Sequence, residues 1–227
     1  MTLQELHERL LSWATAELRQ ADLLLARADH FGRYGEPHEE DQSYERRMNG
    51  MLDFFLYEWR PAPMAPTTLE RFLAAEGHGL PATDHAALAG LVAQRRGLFE
   101  VKKLQPGLVT VADVFSGERL EVTERRQVAG LEKGDLFEAR LFPFEARLVF
   151  SGAFLYHPRE ARSLILAEVK RLKKAAGKAG RPDQGPFLAT LSRMAFKLER
   201  YRNVRLESIY DFSADPRAMT PRPPARG

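Results

Sequence analysis

The side chains that could do chemistry in this sequence are cationic, and they crowd into one stretch. From Arg159 to Arg205 the bases Arg162, Lys170, Arg171, Lys173, Lys174, Lys178, Arg181, Arg193, Lys197, Arg200 and Arg202 face only Glu160, Glu168, Asp183 and Glu199. The whole chain carries a formal net charge of only +3, so the remainder is correspondingly acidic. Lys170, Arg171, Lys173 and Lys174 fall within two helical turns. Arg193, Lys197 and Arg200, at intervals of four and three, share one face of a helix. Such a face suits an acidic protein surface or a polyanion. Phosphate contacts made by it would be salt-sensitive and largely independent of sequence, and Phe196 and Tyr201 could add stacking. A solvated helix face is the bland reading of the same run. The expectation is a protein partner recruited through Lys170, Arg171, Lys173, Lys174, Arg193, Lys197 and Arg200. Nucleic acid held by the same residues is the alternative.

Other chemistries find less material. The chain has no cysteine, which excludes disulfides and every cysteine-ligated zinc or iron–sulfur site. His30, His38, Glu39, Glu40 and Asp41 offer nitrogen and oxygen ligands. Their spacing matches no ligand motif, and acids at a helix N-terminus are favoured by its dipole. His78 and His85 flank a loop in no recognised ligand motif, and His157 before Pro158 reads as a capping or turn residue. Ser116, Ser151 and Ser163 lie in no Gly-x-Ser-x-Gly elbow, and glycine-rich phosphate loops are absent. Among 31 acids, Asp53, Glu58 and Glu70 read as a solvated helix face or local ion pairs. No catalytic, cofactor or metal residue is therefore expected. An enzyme with an unfamiliar site in the N-terminal half is a third reading, which an aromatic-lined cleft holding a carboxylate and a histidine would favour.

These side chains must be positioned by elements legible in the apolar pattern. Thr2 with Glu5 is a capping box. Leu3, Leu6, Leu10, Ala14, Leu18, Ala21, Leu25 and Ala28 then keep a helical period that should stop before Gly32. A second helix fits Asp41 to Trp59, with Tyr44, Met48, Met51, Phe55 and Trp59 on one stripe. The consecutive aromatics around Phe54 and Phe55 cannot all face one way, so some must meet another element. Prolines at 61, 63 and 66 break the helix. Thr67 with Glu70 opens another, and a fourth ends near Gly97. From Leu98 to Tyr156 the period becomes two, giving five expected strands: Leu98–Leu104, Leu108–Phe115, Glu118–Glu124, Asp135–Phe142 and Ala146–Leu155. The glycine turns between them favour antiparallel hairpins, hence a small antiparallel barrel of SH3-like or OB-like type. Ser151-Gly152 within the last strand suggests a bulge. Helix returns after Pro158, Gly177 to Pro186 reads as a linker, and a final helix runs from Phe187 to Tyr201.

The fold class is therefore α+β: a helical region over 1–96, a small five-stranded antiparallel module over 97–157, basic helices over 158–210, and a proline-rich tail over 211–227 expected to be disordered. Hydrophobic residues at 44% are enough for a packed core. No apolar run approaches the roughly 20 residues that span a bilayer, and the N-terminus lacks a signal-peptide pattern, so the cytoplasm is the expected location.

Part of the chain resembles known sequences. The segments are Phe54-Phe55-Leu56-Tyr57-Glu58-Trp59, Thr68-Leu69-Glu70-Arg71-Phe72-Leu73, Gly97-Leu98-Phe99-Glu100-Val101, Lys133-Gly134-Asp135-Leu136-Phe137-Glu138-Ala139-Arg140 and Phe150-Ser151-Gly152. From Asp41 to about Arg162 the chain resembles an uncharacterised group of bacterial proteins, some of which carry a SEC-C zinc motif elsewhere. The resemblance implies a bacterial, cytosolic protein of helices followed by a small barrel. It implies no metal site here, because the SEC-C cysteines are missing, and it supplies no activity.

Overall fold

The computed structural model describes residues 1–16, 19–124, 131–177, 182–201 and 203–213. It opens with a layer of helices: α1 (Leu3–Ala14), α2 (Gln20–Tyr34), α3 (Tyr44–Tyr57), α4 (Thr68–Glu76) and α5 (Ala82–Gly90). Both expected capping boxes form, at Thr2/Glu5 and Thr67/Glu70. The long N-terminal period is divided between two helices, with Arg19 stacked 3.6 Å over the Trp13 ring near the break. The second helix passes Gly32 to reach Tyr34. A glycine inside a helix costs about 1 kcal/mol, less than the burial of Phe31 and Tyr34 returns. It ends at Gly35, whose φ of +92° suits only glycine and whose absent Cβ would meet the Phe196 ring at 3.0 Å.

The central helix α3 is buried nearly all round at its C-terminal end. Phe54, Phe55, Leu56 and Tyr57 all join one apolar cluster with Leu6 and Leu10 of α1 and Leu69 and Phe72 of α4. Phe142, from the sheet, belongs to the same cluster and meets Tyr57 edge-on at 4.7 Å. The helical layer thus completes its core on the barrel.

The barrel consists of β1 (Arg95–Gln105), β2 (Leu108–Asp113), β3 (Arg119–Thr123), β4 (Leu136–Phe144) and β5 (Arg147–Phe150), with a short β6 (Leu155–Tyr156) against β4. The order is β1-β2-β3-β5-β4, closed by β1 on β4. The expected all-antiparallel arrangement needs correction. β3 and β5 run parallel, pairing Val122 with Leu148 and Thr123 with Val149. The reason is topological: β4 crosses to pair with β1, and its hairpin partner β5 then returns alongside β3 in the same direction. This strand order, with its parallel β3/β5 pair, matches the OB-like alternative of the two expected. The last expected strand is interrupted at Ser151–Phe154 and resumes as β6. Phe99, Val101, Val109, Val111, Val122, Phe137, Leu141 and Phe150 fill the interior.

After a 3₁₀ turn at Arg159–Ala161 come α6 (Arg162–Ala176), α7 (Gly185–Arg200) and α8 (Leu206–Ile209). Ile165 and Val169 of α6 and Phe187, Leu191 and Met194 of α7 pack on Leu98, Phe115 and Leu136 of the barrel. Of the expected linker at 177–186, residues 178–181, Lys178 and Arg181 among them, lie outside the described residues, and Gly185 and Pro186 already open α7; the expected tail at 211–227 is described only to Ser213. No described helix is long and apolar enough to cross a membrane.

Candidate functional site

The predicted cations divide by helix. On α7, Arg200 donates to both carboxylate oxygens of Asp41 at 3.0 and 2.6 Å, and to the carbonyl of Glu36. Arg193 donates to the carbonyls of Gly32 and Arg33 at the end of α2. Both side chains stitch α7 to the α2–α3 connection, and the ion pair with Arg200 outweighs burial and holds the Asp41 carboxyl below its ordinary range. Lys197 lies half-buried on the same helix. On α6, Arg171 forms a bidentate pair with Glu168, one turn back. Lys170, Lys173 and Lys174 are exposed on neighbouring turns and form no ion pair with a described residue.

Other polar residues gather where the helical layer meets β1, β4 and α7. Glu138 and Arg140 alternate with Phe137, Ala139 and Leu141 along β4, so the pleat sends both to the outer face of the barrel. There they are covered by helices rather than by water. Arg140 donates to Glu58 and Gln94 and lies 3.7 Å from Asp53 Oδ2. Arg96 pairs with Glu138 at 3.3 Å and lies over the Tyr34 ring. Burial would lower the Arg96 pKa, but Tyr34, Glu58 and Glu138 around it raise it. Arg47 is nearly buried. It donates to Ser43 Oγ at 2.7 Å and Ser192 Oγ at 2.8 Å and stacks on Phe196. Ser43 in turn donates to Glu199 at 2.6 Å. Burial brings Arg47 down to about 10.

The histidines fall differently from their sequence reading. His157, expected at a turn, is buried with its Nδ1 3.2 Å from the Tyr210 hydroxyl and its Nε2 3.4 Å from Glu138. His30 is buried among Phe31, Tyr34 and Phe54, away from the exposed His38, and its Nδ1 has no hydrogen-bond partner. Desolvation pushes its pKa down to about 3. Among the described residues no group of three or more His, Asp or Glu could hold a metal ion.

Two cavities flank Asp53. The smaller, about 60 Å³, lies among His30, Tyr34, Arg47, Arg96 and Arg140 and is the space left inside the charged junction. The larger is an open cleft of about 1060 Å³ between the start of α1, one face of α3 and the β4–β5 hairpin. Its lining includes Glu5, Glu8, Asp53, Glu124 and Glu145 beside Leu52, Phe142, Phe144 and Val149. His7 also lines it, with Nδ1 2.9 Å from the Tyr57 hydroxyl. The sequence gives the aromatic and acidic residues of this cleft individually. Their convergence depends on how α1 docks against the hairpin, which no local pattern encodes.

A family of unknown function (DUF7986) matches residues 2–191. No curated protein and no solved structure matches the chain.

Proposed function

The chain belongs to the DUF7986 family, and we propose that it is an interaction protein that docks an acidic protein surface on the exposed cationic face of α6. The observation that carries this reading is the contrast between the two basic helices. Arg193 and Arg200 of α7 are engaged within the fold, whereas Lys170, Lys173 and Lys174 of α6 are exposed on adjacent turns without a described carboxylate partner. Three like charges so placed create a local field that favours an acidic complement. The match is to an uncharacterised family, with no SEC-C relationship, and adds no ligand to this reading.

Nucleic acid is less favoured on two counts. Neutralising three phosphates gives a salt slope of only about −2.7, the signature of a weak contact. The outer face of β2 and β3 presents Leu108, Thr110, Arg119, Glu121 and Thr123, with no aromatic platform on which bases could stack. The test is affinity capture from the source organism after nuclease treatment, comparing the native chain with the triple variant Lys170→Glu, Lys173→Glu, Lys174→Glu. A defined acidic partner retained by the first and lost by the second is expected. Fluorescence anisotropy with single- and double-stranded DNA and RNA runs beside it. A nucleic-acid shift abolished by the triple variant, with no nuclease-resistant partner, would overturn the proposal.

A further inference from the structure

The small cavity at the charged junction leaves two buried groups with unmet demands. Several buried polar atoms lack a hydrogen-bond partner among the described residues, but four of them stand in facing pairs. Asp53 Oδ2 lies 3.7 Å from Arg140 Nε, and Glu138 Oε1 lies 3.4 Å from His157 Nε2, so a small rotation satisfies each pair. His30 has no such neighbour. It is only 6% exposed, its Nδ1 has no partner, and it lines the cavity. Burial first, then Arg96, Glu58, Arg140 and Arg47, set its pKa, and those three arginines line the same cavity. A buried ring nitrogen left unpaired is costly, and a partner arriving in the cavity would relieve it.

Arg47 makes the second demand. It is 8% exposed, it lines the cavity, and it forms no salt bridge with a described residue. Its nitrogens donate once each, to Ser43 Oγ, Ser192 Oγ and the Ser192 carbonyl, which leaves one N–H on each terminal nitrogen. Glu199 is reached only through Ser43. A buried guanidinium without a carboxylate beside it suits an anion. The charges round the cavity agree. Arg46, Arg47, Arg96 and Arg140 line it against Asp53 and Glu138, with Glu58 behind Arg140, so four cations meet three carboxylates. The surplus of one fits a monoanion, since a second negative charge would meet Asp53 and Glu138. Arg46 is exposed, so the cavity reaches the surface beside α3. Ala153, Phe154 and Leu155 supply its apolar wall, and about 60 Å³ is room for a head group of a few heavy atoms.

We propose that this cavity binds a small monocarboxylate, whose carboxylate accepts from Arg47 and from the His30 ring and whose short hydrocarbon body lies against Ala153, Phe154 and Leu155. The neutral imidazole carries its one ring proton on Nδ1 in this complex and donates it to the ligand. The site is separate from the α6 lysines.

The test uses the full chain at low ionic strength and three matched probes, propionate, propionamide and propylammonium, titrated by calorimetry and by NMR. Propionate is expected to bind at millimolar concentration and to move amide signals of α2, α3 and β4 together with the ring-nitrogen signals of His30. The neutral amide should bind at least about tenfold more weakly, the worth of one charge-assisted hydrogen bond. Propylammonium should not bind. His30→Phe keeps the aromatic packing and should weaken propionate at least about fivefold, as loss of one hydrogen bond predicts; Lys173→Glu should leave it unchanged. The ring-nitrogen signals are read on the native chain, so the result stands even where the variant fails to fold. Absence of propionate binding at millimolar concentration, which leaves the cavity to water, would overturn the proposal. So would equal binding of carboxylate and amide, binding that moves only α6 signals, or binding that leaves the His30 ring signals in place.

Discussion

His30 shows what a single buried side chain does to the behaviour of the fold with pH. Its imidazole is held neutral down to about pH 3 by desolvation, while in the unfolded chain it titrates near 6.5. Between those values the unfolded state binds the extra proton, so stability falls as pH falls through this window. The full contribution is on the order of 5 kcal/mol. His30→Phe keeps the aromatic packing and removes the titration. Urea unfolding of this variant should lose less stability than the native chain between pH 6.5 and pH 4. At this scale the sequence was informative about type and poor about surroundings. The cationic run and the absence of cysteine were plain. That helices roof the outer face of β4 is a tertiary fact, so Asp53, read as part of a solvated helix face or a local ion pair, is buried at the junction.

Elements were legible wherever the pattern is local. The capping boxes at Thr2 and Thr67 and the period-two run from Leu98 announce the helices and strands, since side-chain spacing reports secondary structure directly. The parallel β3/β5 pair was not legible, because glycine turns describe hairpins and say nothing of a strand arriving from the far side of a barrel. The β4–β5 hairpin itself turns through Glu145 and Ala146, both at positive φ, +48° and +59°. This is the two-residue turn that Asn-Gly adopts without strain. Glu145→Asn with Ala146→Gly should therefore stabilise the protein by roughly 1 kcal/mol, since non-glycine residues at such angles cost about that much each and glycine's extra unfolded-state freedom takes part of it back. A melting temperature that falls in the double variant would contradict the turn assignment.

Across the whole molecule, Arg140 joins the layers. From β4 it reaches Glu58 and Asp53 of the α3 region and Gln94 at the start of β1. Arg140→Met would leave those carboxylates buried without their cation, a loss of about 3–5 kcal/mol. The loss should be felt in both layers at once: fluorescence of Trp13 and Trp59, which report the helices, and hydrogen exchange of β1 and β4 amides should shift together. Helices that loosen while the barrel stays protected would show that the two are only loosely coupled. The sharing of Phe142 between the barrel and the helical cluster has a further consequence during synthesis. Residues 1–93 leave the ribosome first, with Tyr57 and its neighbours lacking the surface that covers them. At translation rates of 5–20 residues per second, some 50 residues separate α5 from Phe142, a delay of roughly 2–10 s. For that interval the nascent helices offer a greasy flank to the cell, and a ribosome-associated chaperone is the natural cover until the hairpin arrives.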